Sequence, residues 1–229
     1  MKQRLPEYLI YGSYPDILKA KTRDEKIRLL IDLSNSYLLK DILALDNIKN
    51  SAFIISLLKI LAFQIGSEVS VNEIATQLGV DTKTVARYLD LLEKTFVIYK
   101  MGGYSSNLRK EVAKKSKYYF WDNGIRNAII SQFNGLEDRN DVGALWENFV
   151  VIERIKKCAY DEIYGSFYFW RTYNQQEIDL VEQREGKLFG YEMKWGDGKR
   201  KSPPKEWVKN YKESSFEVID KENYLDFIT

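Results

Sequence analysis

The chain contains no histidine among its 229 residues. That absence removes Ser-His-Asp and Cys-His catalysis, histidine-ligated zinc and a histidine general base. A single cysteine, Cys158, excludes an internal disulfide and fits a reducing cytoplasm. No Gly-x-x-x-x-Gly-Lys-Ser/Thr stretch occurs, so no P-loop of its own is expected, and with it no ATPase activity. No apolar run reaches the length of a membrane span, and the N-terminus lacks the apolar core of a secretory signal. Any hydrolytic chemistry must then run on carboxylates, lysine and a hard metal ion. Hydrophobic residues at 45% and charged residues at 30% are the balance of a globular protein able to bury cores. A net charge of +2 does not by itself demand a polyanionic partner.

The most informative stretch runs from Phe167 to Trp195. Phe167-Tyr-Phe-Trp-Arg171, Glu177-Ile-Asp-Leu-Val181 and Leu188-Phe-Gly-Tyr-Glu-Met-Lys-Trp195 are apolar-rich runs separated by polar turns. The second turn, Arg184-Glu-Gly-Lys187, contains the glycine that tight hairpins favour. The pattern predicts three antiparallel strands. Asp179 falls early on the second, and Glu192 and Lys194 fall at the end of the third. Side chains two apart on a strand share a face, which brings Glu192 and Lys194 together. Two carboxylates can hold Mg2+ through hard oxygens, and a lysine can steady phosphate charge or position water. Glu-x-Lys on a strand is also a common solvated ion pair.

The spacing Asp179, twelve residues, Glu192-Met-Lys194 resembles the PD-(D/E)XK nuclease superfamily. The resemblance makes Glu147, in Leu145-Trp-Glu-Asn-Phe-Val150, the acidic residue on the helix before the sheet. It implies Glu147, Asp179, Glu192 and Lys194 as catalytic residues, with Asp179 and Glu192 holding the metal.

Upstream, Leu9 to Leu18 reads as a loop punctuated by Gly12 and Pro15. Arg23 to about Leu45 has helical periodicity, and residues 1–48 form a leader. Ser51 to Ile65 is an apolar helix ended by Gly66. Ser70-Val-Asn-Glu73 has capping-box form and opens a short helix, Asn72 to Leu78, which stops at Gly79. A second helix, Thr82 to Glu93, turns Val85, Leu89 and Leu92 inward and Lys83, Thr84 and Arg87 outward. Helix, short turn, helix is the helix-turn-helix pattern. Phe96–Lys100 and Tyr118–Trp121 read as a hairpin after it. Between them, Lys100, Arg109, Lys110, Lys114, Lys115 and Lys117 outnumber the one acid Glu111. A hairpin in this place is a wing, so residues 49–130 are expected to form a winged helix. Lys83, Thr84, Arg87, Lys114 and Lys115 are its candidate DNA contacts, supplying the sequence-independent phosphate attraction.

Asn134 to Gly143 is polar and reads as a linker. Leu145 to Ala159 is a strongly apolar helix, in which an unpaired buried Glu147 would be costly. A short helix through Tyr211, a fourth strand at Phe216–Val218 and a packing segment at Tyr224–Ile228 follow the three strands. Residues 141–229 thus give the order helix, three strands, helix, strand, and this tail is expected to be complete.

Tyr11-Gly-Ser-Tyr-Pro-Asp16, Tyr37-Leu-Leu-Lys-Asp41, Thr84 through Phe96, Lys117-Tyr-Tyr-Phe-Trp-Asp-Asn-Gly-Ile-Arg126 and Leu145-Trp-Glu-Asn148 run in order with Trp170 through Lys194. Together they resemble the C-terminal region of prokaryotic AAA-type ATPases, where a domain of unknown function, DUF4143, follows the ATPase module. The resemblance implies a winged helix and a restriction-endonuclease-like αβββαβ domain, in an α/β (α+β) chain. This sequence lacks the ATPase module, so ATP binding is not carried over, and the chain is expected to be an excised part or a truncated gene product. The expected job is Mg2+-dependent phosphodiester cleavage guided by DNA contact. The alternative is a non-catalytic DNA- or protein-binding module that regulates an AAA partner.

Overall fold

The computed structural model describes residues 4–36, 51–105, 116–196 and 202–229. The architecture is mixed α/β. It divides into two compact units: residues 1–100 with 118–140, and residues 101–117 with 141–229. Residues 4–36 share a unit with the helices that follow, and residues 101–105 with 116–117 group with the C-terminal part.

The first unit opens with α1 (Leu5–Tyr11), α2 (Pro15–Lys19) and α3 (Arg23–Leu33). Leu9–Leu18, expected as a loop, is largely helical, because a proline in the first turn of α1 and of α2 pre-sets the helical φ. The expected helical stretch past residue 36, the Tyr37–Asp41 motif, Lys114 and Lys115 lie outside the described residues. Then come α4 (Ser51–Phe63), β1 (Glu68–Val69), α5 (Val71–Leu78) and α6 (Thr82–Lys94). Ser70 caps α5 by accepting from the Glu73 N–H at 3.3 Å, and Gly79 ends it in the left-handed conformation. Asp81 caps α6, accepting from both the N–H and the hydroxyl of Thr84 at 2.8 Å. Val85, Tyr88, Leu89 and Leu92 form the buried stripe of α6, while Lys83 and Arg87 are exposed.

β2 (Ile98–Gly103) begins later than expected. Phe96 instead takes a positive φ of 55° in the turn after α6 and stays largely exposed. β3 (Ser116–Phe120) leads into α7 (Asn123–Ile129). Strand order is β1-β3-β2 in the first unit, and β2 passes into the second at Met101.

The Tyr11–Asp16 and Trp121–Arg126 segments clasp one another. Asp122 caps α7 through the Ile125 N–H and accepts from the Ser13 N–H at 2.7 Å. Asn127 donates to the carbonyls of Leu9 and Ile10, and its own oxygen accepts from Arg126 and Arg139. Asn134–Gly143, expected as a linker, is instead tied down. It carries a 3-10 turn at Leu136–Asp138, and buried Arg139 also donates to the Gln132 carbonyl at 2.8 Å.

The second unit contains α8 (Val142–Tyr160), β4 (Ser166–Arg171), β5 (Glu177–Arg184), β6 (Lys187–Met193), α9 (Lys205–Asn210), β7 (Ser215–Ile219) and α10 (Tyr224–Ile228). Its strands run β2-β4-β5-β6-β7. β4, β5 and β6 are antiparallel, as their turns require, whereas β2 joins β4 and β7 joins β6 in parallel. Trp170, Ile178, Val181 and Trp207 form one apolar cluster. Trp146 of α8 packs against Tyr224 and Trp195 in another.

Candidate functional site at the ends of β5 and β6

β5 is irregular where Asp179 sits. Tyr168 pairs with Val181 but Trp170 pairs with Ile178, so β5 spends three steps where β4 spends two. Such a bulge bends the strand and re-aims a side chain. The ladder between β5 and β6 stops at Leu180 and Tyr191. Two residues on, the Met193 N–H donates to Asp179 Oδ2 at 2.8 Å. The Asp179 carboxylate thus closes the β5–β6 junction from the side.

Glu192 is buried on β6, and its Oε1 lies 2.8 Å from Lys194 Nζ. The expected pairing of these two residues is present. The Lys194 N–H is held by the Ile219 carbonyl of β7 at 2.9 Å. Glu147 arrives from α8. It lies seven residues before Arg154, two helical turns, so both occupy one stripe. Arg154 is fixed by a two-pronged contact to buried Glu182 of β5, at 2.7 and 3.1 Å. That clamp turns the stripe, and Glu147 with it, toward the sheet.

Lys117 completes the group, and its place corrects the expectation that it belongs to an exposed basic wing. Only 2% of its side chain is exposed, and its Nζ lies 2.6 Å from Glu177 Oε1 and 3.3 Å from Glu147 Oε1. Burial works against its charge, but Glu147, Asp179 and Glu177 outweigh that and hold it above the usual lysine range. Glu177 also faces Arg171 at 4.0 Å. Asp179 is pushed the other way. Burial, then the charges of Glu147 and Glu192, raise its carboxyl well above the usual carboxylate range, against the opposing pull of Lys117 and the Met193 N–H.

Glu147, Asp179, Glu192 and Lys194 are therefore brought into one electrostatic neighbourhood. Among the described residues, no group of three or more acidic or cysteine side chains is gathered closely enough to enclose a metal. Asp179 and Glu192 still offer two hard carboxylates, both buried at the ends of adjacent strands. This donor set fits one hard divalent ion completed by water. Lys83, Thr84 and Arg87 belong to the first unit and are no part of this group; the Thr84 hydroxyl is engaged by its helix cap.

Sequence reasoning missed Lys117, Glu177 and Arg171. The available signal was Glu177-Ile-Asp179, two acids two apart on one strand, and Lys117 opening a run of aromatics, Tyr118-Tyr-Phe-Trp121.

Residues 142–224 match a domain of unknown function, DUF4143, and residues 2–136 match another, DUF8612. The junction between the two matches contains the boundary between the units at Asn140 and Asp141. An uncharacterized protein of Mycobacterium tuberculosis is 31% identical over 136 residues, covering 58% of this chain and 30% of its own length. An uncharacterized protein of Mycobacterium bovis gives the same figures. One of Haemophilus influenzae is 28% identical over 189 residues, covering 80% of this chain and 44% of its own. The chain spans less than half the length of the curated relatives it matches. No solved structure matches. Among the described residues no helix is long and apolar enough to cross a membrane. The match to DUF8612 takes in more than half of the 229 residues, and the chain belongs to that family, with a DUF4143 region following.

Proposed function

We propose that the second unit is a Mg2+-dependent phosphodiesterase of PD-(D/E)XK type acting on DNA. The observation that carries this reading is the bulged Asp179, whose buried carboxyl feels the charges of Glu147 and Glu192 beside the Glu192–Lys194 pair. Asp179 and Glu192 would hold Mg2+. When bound, the ion polarises a phosphoryl oxygen and lowers the pKa of a water. Lys194, about one-third exposed, is the cation able to reach a phosphate or orient the attacking water. Glu147 adds a third carboxylate from α8, beside Asp179 and paired with Lys117. The Met193 N–H keeps Asp179 aimed at the junction.

The first unit is read as a winged helix that touches the DNA backbone through exposed Lys83 and Arg87 on α6. An ATPase module in cis in the family, absent from these 229 residues, is part of the proposal, supported by relatives more than twice as long as the region matched. A second reading, a non-catalytic DNA- or protein-binding regulatory module, is favoured by one feature. Lys117 already pairs with Glu147, as it would in a purely structural network.

A cleavage assay separates the two. The purified chain is incubated with duplex and single-stranded DNA, with Mg2+ or with chelator, beside Asp179→Ala. The nuclease reading expects product only with Mg2+ and only from the native chain. Equal product from Asp179→Ala, or none under any condition, leaves the binding-module reading in its place.

A further inference from the structure

Two-ion phosphoesterase sites hold their metals about 3.5–4 Å apart and share carboxylates between them. Beside Asp179, the carboxylates of Glu147 and Glu177, which a second ion would need, are already on a cation. Lys117 Nζ takes Glu177 Oε1 at 2.6 Å and Glu147 Oε1 at 3.3 Å, and only 2% of its side chain meets solvent. The lysine cannot swing away easily. It projects from β3, and its ammonium also lies 5.5 Å from the centre of the Phe169 ring, a cation–π contact. Asp179 and Glu192 are differently placed. Asp179 is held by a backbone N–H, and Glu192 pairs with Lys194 at the more open side.

We propose that Lys117 is a resident cation filling the second cation position of this site, so that the site takes one divalent ion, at Asp179 and Glu192, and not two. This rests on the metal-dependent reading above and deepens it. Lys117 is then a positioning residue: it neutralises Glu147 and Glu177, fixes both in place, and leaves the remaining negative charge for a single ion. The arrangement also assigns Glu177 to Lys117 and not to the metal.

The test is Mn2+ binding to the intact chain, counted by titration calorimetry and by electron paramagnetic resonance. The native chain binds one Mn2+, Lys117→Arg also binds one, and Asp179→Ala binds none. Glu177→Gln, which removes an acceptor of Lys117 but no ligand of the ion, still binds one, more weakly because the lysine's charge is less compensated. Lys117→Met, where it folds, binds a second ion or binds the first about tenfold tighter, the factor equivalent to one pK unit of lost repulsion. Two ions in the native chain overturn the proposal while leaving the metal-dependent reading intact. Loss of the ion in Glu177→Gln, or a folded Lys117→Met indistinguishable from native, also overturns it. No ion at all in the native chain overturns both.

Discussion

Lys117 and Glu177 meet at 2.6 Å inside the second unit, although they lie on strands far apart in the chain. Lys117 is buried and its partners only partly so, and removing the cation leaves them uncompensated, a loss at or below the roughly 3–5 kcal/mol of a fully buried pair. Lys117→Met should therefore destabilise the second unit by about 3 kcal/mol, read as a lower urea midpoint. Adding Glu147→Gln should recover part of the loss. Additive losses would show that the two residues do not share one charge balance.

The raised carboxyl of Asp179 sets a pH dependence. Its proton-binding affinity is higher in the folded than in the unfolded chain, because burial and the charges of Glu147 and Glu192 disfavour ionisation, Lys117 opposing. The folded state therefore binds more protons in the window from the ordinary aspartate value of 3.8 up through the raised one. Stability from this group is complete below that window and is lost as pH rises through it. Asp179→Asn escapes the loss. In chelator its advantage over the native chain should grow with pH across the window and level off on either side. A difference constant with pH would contradict the assignment.

For the first unit the expectation is salt-sensitive binding to duplex DNA, with Lys83 and Arg87 exposed on α6 as the contacts. The slope of log affinity against log salt changes by about 0.9 for each phosphate the protein no longer neutralises. Lys83→Glu with Arg87→Glu should reduce it by about two units, measured by fluorescence anisotropy from low to moderate salt. An unchanged slope would take DNA binding away from α6.

Gly124 tests the clasp between the Tyr11 and Trp121 segments. A Cβ there would stand 2.2 Å from the Tyr11 carbonyl oxygen, a backbone atom that cannot rotate aside. Gly124→Ala should destabilise the first unit by about 1–3 kcal/mol, the usual range for forced overpacking. Gly143→Ala, with open space around the added carbon, is the control.

Much of the second unit was legible in the sequence. Apolar-rich runs and a glycine turn point to three antiparallel strands, and the two-residue period puts Glu192 beside Lys194. The cap at Ser70 and the buried stripe of α6 are equally plain. What could not be read depends on partners far along the chain. Lys117 stands among lysines and looks solvated, and only the folded second unit shows that its partners are Glu147 and Glu177. The bulge at Asp179 is invisible in β5 alone, because it exists only as a mismatch with β4. The polar run at Asn134–Gly143 reads as a linker until Arg139 finds acceptors at Gln132 and Asn127.

The metal at Asp179 and Glu192 is the claim on which the functional reading rests, and thermal unfolding with and without Mg2+ tests it directly. An ion that binds only the folded chain stabilises it by about 2.7 kcal/mol at a concentration near 100 times Kd. The native chain near neutral pH should melt several degrees higher with Mg2+ than with chelator, and Asp179→Ala should melt at one temperature in both. A native chain indifferent to Mg2+, or an Asp179→Ala variant stabilised as much as the native chain, would contradict the account.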